Sequence, residues 1–287
     1  MNGVILLNKP KGFTSHDCVA KLRGILKTKK VGHTGTLDPD TTGLLPICIN
    51  KATKIVPYLT AENKEYICRI RIGYSTTSED QSGDVVDSLN VNKIPLESID
   101  DVLSKLLEIK EQTPPMYSAV KINGKKLYEY ARQGITIDRP SRKISIMHIE
   151  RLSDPVYSNS CVEFDFKIRG SKGFYVRTIC VTIGEMLGYP AHMAELNRTM
   201  SGSFKLEDSY TFEEIESGNF KVISIKDALP MKSIELDKIN SFRVMNGAAI
   251  ENIYDITEPT LLCSRVPLAI YAPHPDKPGM IKPLKVL

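Results

Sequence analysis

Two stretches of strict alternation narrow the architecture more than any other feature of the chain. Over residues 65–74, Tyr66, Cys68, Ile70 and Ile72 fall on one face, and Ile67, Arg69 and Arg71 on the other. Over residues 161–169, Val162, Phe164, Phe166 and Ile168 alternate with Glu163, Asp165 and Lys167. A period of two marks a β-strand with one face in a core and a charged face outward.

Helical patterns are interspersed irregularly with such strands. Residues 4–7 read as a strand, and Thr14 or Ser15 can cap a helix through Val19, Leu22 and Leu26. Residues 44–49 are an apolar run that reads as a buried strand, and 52–58 as a short helix. Residues 75–83 form a polar loop. Ser98-Ile-Asp-Asp101 resembles a capping box ahead of the stripe Val102, Leu103, Leu106 and Leu107, and Pro114-Pro115 breaks that helix. Asn123-Gly124 closes a tight turn after a strand over 117–122, and 127–133 is helical until Gly134. Further strands are expected over 143–152 and 161–169, and Phe174-Tyr-Val-Arg-Thr-Ile leads into a helix reaching Leu187. The pattern predicts an α+β fold: a mixed, largely antiparallel sheet flanked by helices.

Past Leu229-Pro230 the texture changes. Short apolar pieces at 242–244, 261–263 and 268–271 alternate with turns containing proline and glycine. This predicts a catalytic-sized domain over 1–230 and a small C-terminal β module over 231–287.

The 287 residues are 41% hydrophobic and 25% charged, as in ordinary globular proteins. No run reaches the length of a membrane span. The N-terminus lacks the basic lead and small-residue cleavage site of a secretion signal, so a cytoplasmic protein is expected. The six cysteines are scattered and form no C-x-x-C pair, which favours reduced core thiols. The five histidines form no H-x-x-x-H pattern, and no metal is expected. Net charge is only +4, but its distribution is uneven. Residues 21–30 hold five basic side chains and no acid, and run straight into a glycine-rich segment. Basic groups beside a candidate site point to a polyanionic partner.

That segment is Val31-Gly-His-Thr-Gly-Thr-Leu-Asp-Pro-Asp-Thr-Thr-Gly-Leu-Leu45. Gly32, Gly35 and Gly43 allow tight turns and close approach of a ligand to backbone. Asp38 precedes Pro39, which holds it on extended backbone. The residues alone fit two readings: a carboxylate on a rigid shelf at the mouth of a core strand, or an Asp-Pro that starts an ordinary turn.

Taken together and in order, several stretches resemble the TruB family of tRNA pseudouridine-55 synthases. They are Leu7-Asn-Lys-Pro-Lys-Gly-Phe-Thr-Ser15, Gly32-His-Thr-Gly-Thr-Leu-Asp-Pro with Gly43-Leu-Leu45, Ala52-Thr-Lys54 and Lys64-Glu-Tyr66. Pro114-Pro-Met-Tyr-Ser-Ala-Val-Lys121, Leu127-Tyr-Glu-Tyr-Ala-Arg-Gln-Gly134, Gly173-Phe-Tyr-Val-Arg-Thr178 and Leu196-Asn-Arg-Thr199 continue the series. The resemblance covers roughly residues 1–210. Thr41 stands where the family commonly has alanine.

The resemblance implies the pseudouridine synthase fold with a PUA-like RNA-binding module at 231–287. It also implies isomerisation of one uridine in the T-loop of tRNA, without cofactor. Asp38 takes the position of the essential aspartate, either attacking C1′ as a nucleophile or removing the C2′ proton. Arg177 matches its arginine partner, expected to grip it bidentately and keep its pKa low. Tyr66 matches the tyrosine that stacks on the target base. His33 matches a histidine that replaces the extruded base, and Tyr175 and Leu196 match pocket positions. Lys64, Arg132 and Arg198 are expected phosphate or pocket contacts. The implied partner is the T-arm stem-loop of tRNA, and a monomer is expected. A non-catalytic tRNA-binding chaperone is the alternative. A phosphate-binding hydrolase fails, because no G-x-x-x-x-G-K-[ST] exists here.

Overall fold

The computed structural model describes residues 1–287. The labelled elements of its catalytic-sized part are β1 (Gly3–Lys9), α1 (Ser15–Ile25), β2 (Val31–His33), β3 (Thr42–Ile49) and β4 (Lys64–Ile72). They continue with α2 (Leu96–Lys105), β5 (Ile146–Arg151), β6 (Cys161–Gly170), α3 (Val176–Leu187) and β7 (Ala191–Ser201). These strands belong to one nine-stranded sheet whose main path runs β1-β3-β7-β4-β6-β5, with β2 pairing β3 off that path. β7 runs parallel to β3 through Asn197 and Arg198, and the other pairings are antiparallel.

The two alternating stretches are neighbours. β4 and β6 pair with Phe164 opposite Ile70 and Phe166 opposite Cys68, and all four are buried. On the reverse face Arg69 meets Asp165 at 2.8 Å, and Arg71 pairs with Glu163. Helices α2 and α3 contribute Ile99, Val102, Leu103, Ile179, Cys180 and Ile183 to the core over the apolar face. β1 and β3 are buried on both sides. Ile5, Leu7, Leu45 and Ile47 share a core with α1, and Val4, Leu6, Leu44 and Cys48 share another with Leu261, Cys263 and Ile270. That second core joins the C-terminal module to the sheet.

Local chemistry explains the boundaries near the shelf. The Thr14 hydroxyl accepts from the Asp17 N–H at 3.0 Å, and the Asp17 carboxylate accepts from the Thr14 N–H at 2.9 Å, a reciprocal cap on α1. Gly188 ends α3 in the left-handed conformation.

The C-terminal module is a five-stranded sheet. Its elements are β8 (Ser233–Glu235), α4 (Lys238–Met245), β9 (Ile250–Glu251), β10 (Thr260–Ser264), β11 (Val266–Pro273) and β12 (Met280–Val286), with strand order β8-β10-β11-β12-β9.

Three local expectations are corrected. Residues 242–244 are helical, because the Asp237 side chain caps α4 by accepting from the Asn240 N–H at 2.8 Å. Helix α2 starts at Leu96 behind Pro95, two residues before the capping-box-like Ser98, and has no side-chain cap. The strand at 117–122 shrinks to Lys121–Ile122, paired with Lys125–Lys126 across Asn123-Gly124, both at positive φ. No helix is long and apolar enough to cross a membrane.

Phe166 is fully buried at the centre of the largest core. Phe166→Ala is expected to lower unfolding free energy by about 3–5 kcal/mol, read by urea denaturation at constant m.

Candidate active site

The backbone around Asp38 lies in the β2–β3 connection and carries little regular structure. Side chains from three other elements hold it. Lys9, at the end of β1, is fully buried, and its Nζ donates to the carbonyls of Pro10 (3.0 Å), Pro39 (3.1 Å) and Thr41 (2.6 Å). Ser15, at the start of α1, accepts from the Leu37 N–H at 2.8 Å and donates back to the Leu37 carbonyl at 3.2 Å. Arg198, on β7 and 1% exposed, donates to the carbonyls of Leu44 (2.7 Å) and Gly35 (3.2 Å). Gly43 has φ +103°, and a Cβ there would lie 2.5 Å from the Arg198 carbonyl oxygen, so only glycine admits this approach. The carboxylate of Asp38 is thus mounted on pinned backbone, as the shelf reading requires.

Arg177 stands in the first turn of α3 and is 6% exposed. Its Nη2 lies 3.2 Å from Asp38 Oδ2 and donates to the Tyr117 carbonyl at 2.7 Å. Its Nη1 donates to the Ser78 carbonyl at 3.0 Å and lies 3.6 Å from Asp80 Oδ2. One guanidinium therefore joins the shelf, the 78–80 loop and the 117 segment. The contact with Asp38 is through one nitrogen, not the bidentate grip expected from sequence.

The expected direction of the Asp38 pKa is also corrected. Its side chain keeps 46% of its surface open. Burial pushes its carboxyl above the ordinary value, Arg177 pulls it down, and nearby Asp80 pushes it up again. Burial is the largest of these effects.

The other sequence-predicted residues divide into two groups. Tyr66 is half-buried on β4, its ring meeting Phe174 edge-on at 5.7 Å between centroids. Leu196 is half-buried against the same core, in β7 opposite Cys68. Tyr175 is the N-cap residue of α3, with its backbone clamped by Gln112 at 2.7 and 3.0 Å, and burial pushes its phenol up. His33 Nδ1 accepts from the Gly35 N–H at 3.3 Å, so the proton of the neutral ring sits on Nε2. Burial pushes the His33 pKa down, favouring that neutral form. Arg132 is exposed and lies 5.3 Å over the Tyr128 ring.

Of the three residues expected as phosphate or pocket contacts, Lys64 and Arg198 are buried and donate to main-chain carbonyls. Lys64 Nζ donates to the Thr60 and Glu62 carbonyls at 2.6 and 2.5 Å, and burial pushes its pKa down to about 8. Arg198 braces the shelf. Sequence reasoning gave no role to Lys9 or Asp80. Lys9 lay within the quoted N-terminal motif, whereas Asp80 lay in a stretch legible only as a polar loop. No group of three or more His, Cys, Asp or Glu side chains is placed to hold a metal ion.

Comparison with known proteins agrees with this architecture. The model described as "TruB family pseudouridylate synthase (N terminal domain)" matches residues 23–176, and the "tRNA pseudouridylate synthase B C-terminal domain" matches 177–228. The chain is 50% identical over 299 residues to tRNA pseudouridine synthase B of Bacillus cereus, covering 100% of this chain and 97% of that protein. It is 50% identical over 303 residues to the Bacillus subtilis protein of the same name, covering 100% and 98%. Its fold is similar to that in a crystal structure of a Cbf5–Nop10–Gar1 complex, with TM-score 0.71 and 25% identity over 99% of this chain and 83% of that one. The fold and these matches define a pseudouridylate synthase, an isomerase by class. Within that class the chain belongs to the TruB family.

The raised carboxyl has a consequence for stability. A group whose pKa is higher in the folded than in the unfolded state stabilises the fold below its unfolded value, and loses that contribution as pH rises through the folded value. Ionised Asp38 therefore costs stability at neutral pH. Asp38→Asn is expected to keep or raise the thermal midpoint at pH 7, with the difference closing as pH falls through the Asp38 pKa, as calorimetry can measure.

Proposed function

We propose that this chain converts uridine 55 in the T-loop of tRNA to pseudouridine, with Asp38 as the essential carboxylate. The observation that carries the reading is a carboxylate fixed on pinned backbone and paired with a buried arginine. The relatives' names supply the substrate class, and the motif series of the family supplies the site in the RNA.

In the reaction the C1′–N1 glycosidic bond breaks and a C1′–C5 bond forms. C5 gives up its proton and N1 gains one, so the composition of the nucleoside is unchanged. Breaking a glycosidic bond builds positive character on the ribose, and an ionised carboxylate beside it can attack C1′ or remove the C2′ proton. The detached base stays bound and rejoins, so no second carboxylate is needed to activate water. Arg177 opposes the burial that would neutralise Asp38 and fixes its direction. Tyr66 stacks on the base and assists proton loss from C5, while Tyr175 and Leu196 line the pocket.

A base within a folded loop is beyond the reach of Asp38 until it is flipped out, at a cost of about a few kcal/mol. His33, neutral and with Nε2–H free to donate, takes its place in the stack. Arg132, exposed beside Tyr128, contacts phosphate. The C-terminal sheet serves as a PUA-like RNA-binding module.

The test is single-turnover conversion of an unmodified T-arm hairpin. Asp38→Asn is expected to bind normally and to lose about a thousandfold or more in rate, roughly 4 kcal/mol in barrier. Equal conversion by both proteins would refute the carboxylate assignment, and wild-type binding without product would favour the chaperone. The acid limb of the rate profile is expected above the ordinary value for an aspartate. Because Arg177 lowers the Asp38 pKa, Arg177→Met should move that limb to higher pH; an unmoved limb would separate Arg177 from the ionisation.

A further inference from the structure

The loop that carries Ser78 and Asp80 holds a second acid that the reaction does not use. Glu79 lies between the two residues that engage Arg177, and its own carboxylate turns to the next residue of α3. Its Oε2 accepts from the Thr178 hydroxyl at 2.8 Å. Three consecutive loop residues therefore meet two consecutive positions at the start of α3: Ser78 and Asp80 meet Arg177, and Glu79 meets Thr178.

The backbone of Glu79 is strained. At φ +63° it is left-handed, a conformation that residues with a Cβ rarely adopt. Such a conformation persists only where its surroundings over-determine it. Here they act from two sides. The Met193 N–H donates to the Glu79 carbonyl at 3.0 Å, and the Gln81 N–H donates to the Met193 carbonyl at 3.1 Å, which lays the loop along the start of β7. The side chain supplies the tie to α3, across 99 residues of sequence. Glu79 forms no salt bridge. Burial pushes its carboxyl up, Thr178, Arg177 and Arg139 pull it down, and Asp80 pushes it up again.

The tie bears on how one guanidinium is divided. Nη1 and Nη2 carry two protons each. Nη2 faces the Tyr117 carbonyl and Asp38, and Nη1 faces the Ser78 carbonyl and Asp80. Each nitrogen thus faces as many acceptors as it has protons. For Nη1 to make a second bond to Asp38, one of its acceptors must withdraw, and the 78–80 loop supplies both. The charged groups that bear most on Asp38 are Arg177, Asp80, Lys9 and Asp40, so Glu79 reaches it through the loop.

We infer that Glu79 is a positioning residue: its bond to Thr178 keeps Ser78 and Asp80 against Nη1 of Arg177, and so restricts the guanidinium to a one-nitrogen contact with Asp38. The inference rests on the role proposed above for Asp38 and adds a residue that acts on it through Arg177. Cutting the tie releases Nη1 toward Asp38 and takes Asp80 away from it. Arg177 lowers the Asp38 pKa and Asp80 raises it, so both changes act downward. That direction is opposite to the one expected for Arg177→Met.

The test follows the single-turnover rate on an unmodified T-arm hairpin, at saturating enzyme and across pH, for full-length wild type, E79A, E79Q and T178V. Hairpin affinity and thermal midpoint are measured in parallel. E79A and T178V remove the same bond from opposite ends, and T178V leaves the loop's own residues unchanged should E79A not fold. E79Q keeps an oxygen that accepts from Thr178. E79A and T178V are expected to move the acid limb down by about half a pH unit or more. Both should lose about tenfold in plateau rate, as Asp38 leaves its fixed direction, at unchanged affinity. E79Q is expected to keep the wild-type limb. An unmoved limb in E79A and T178V would overturn the inference even with a lowered thermal midpoint, because Glu79 would then be a structural tie alone. So would a limb moved upward, with Arg177 lost instead of released, or one moved as far in E79Q as in E79A, which would assign the effect to charge. Failure of the wild type to convert the hairpin would instead refute the proposed function, before any variant is read.

Discussion

The site depends on two buried cations that have main-chain carbonyls, not carboxylates, as hydrogen-bond partners. Lys9 and Arg198 together hold the carbonyls of Gly35, Pro39, Thr41 and Leu44, which bracket Asp38 on both sides. A buried charge without partners costs far more than an ordinary loop hydrogen bond yields. The shelf therefore cannot drift away without stranding both charges. This ties an irregular segment to β1 and β7 and leaves the Asp38 carboxylate partly open to solvent.

Arg177 imposes the second constraint. It binds the Ser78 and Tyr117 carbonyls as well as Asp38, so three sequence-distant segments must arrive together for its charge to be satisfied. The guanidinium favours the ionised carboxylate of Asp38, but burial prevails. The result is a carboxyl in tension: positioned by a cation, yet with its pKa held above its ordinary value. Such tension between desolvation and a specific charge partner is common where a protein prepares a group for chemistry.

The framework was legible because it is local. Alternation over 161–169 gave a strand with the faces it proves to have, and of the two caps open to α1, Thr14 or Ser15, the structure uses Thr14. The pairing of Asp38 with Arg177 was legible through the ordered motifs, since nothing in either residue's neighbourhood points to the other. Residues 242–244 misled for an instructive reason. Three residues carry too little periodicity to tell strand from helix, and the deciding signal was the cap at Asp237, five residues upstream of Phe242.

By itself, then, the sequence determined the α+β class, the two alternating strands at the centre of the sheet, the existence of its main helices and the family, all of which follow from near-neighbour pattern or from the order of motifs. The tertiary structure alone decided which cations face inward. Lys9 reaches acceptors 30 and 32 residues away and Arg198 reaches them 154 and 163 away, whereas Arg132 stays in water. A lysine or arginine reads the same in sequence wherever it points. Only the arrival of distant carbonyls makes it a brace, and only the atoms packed around Asp38 set the direction of its pKa.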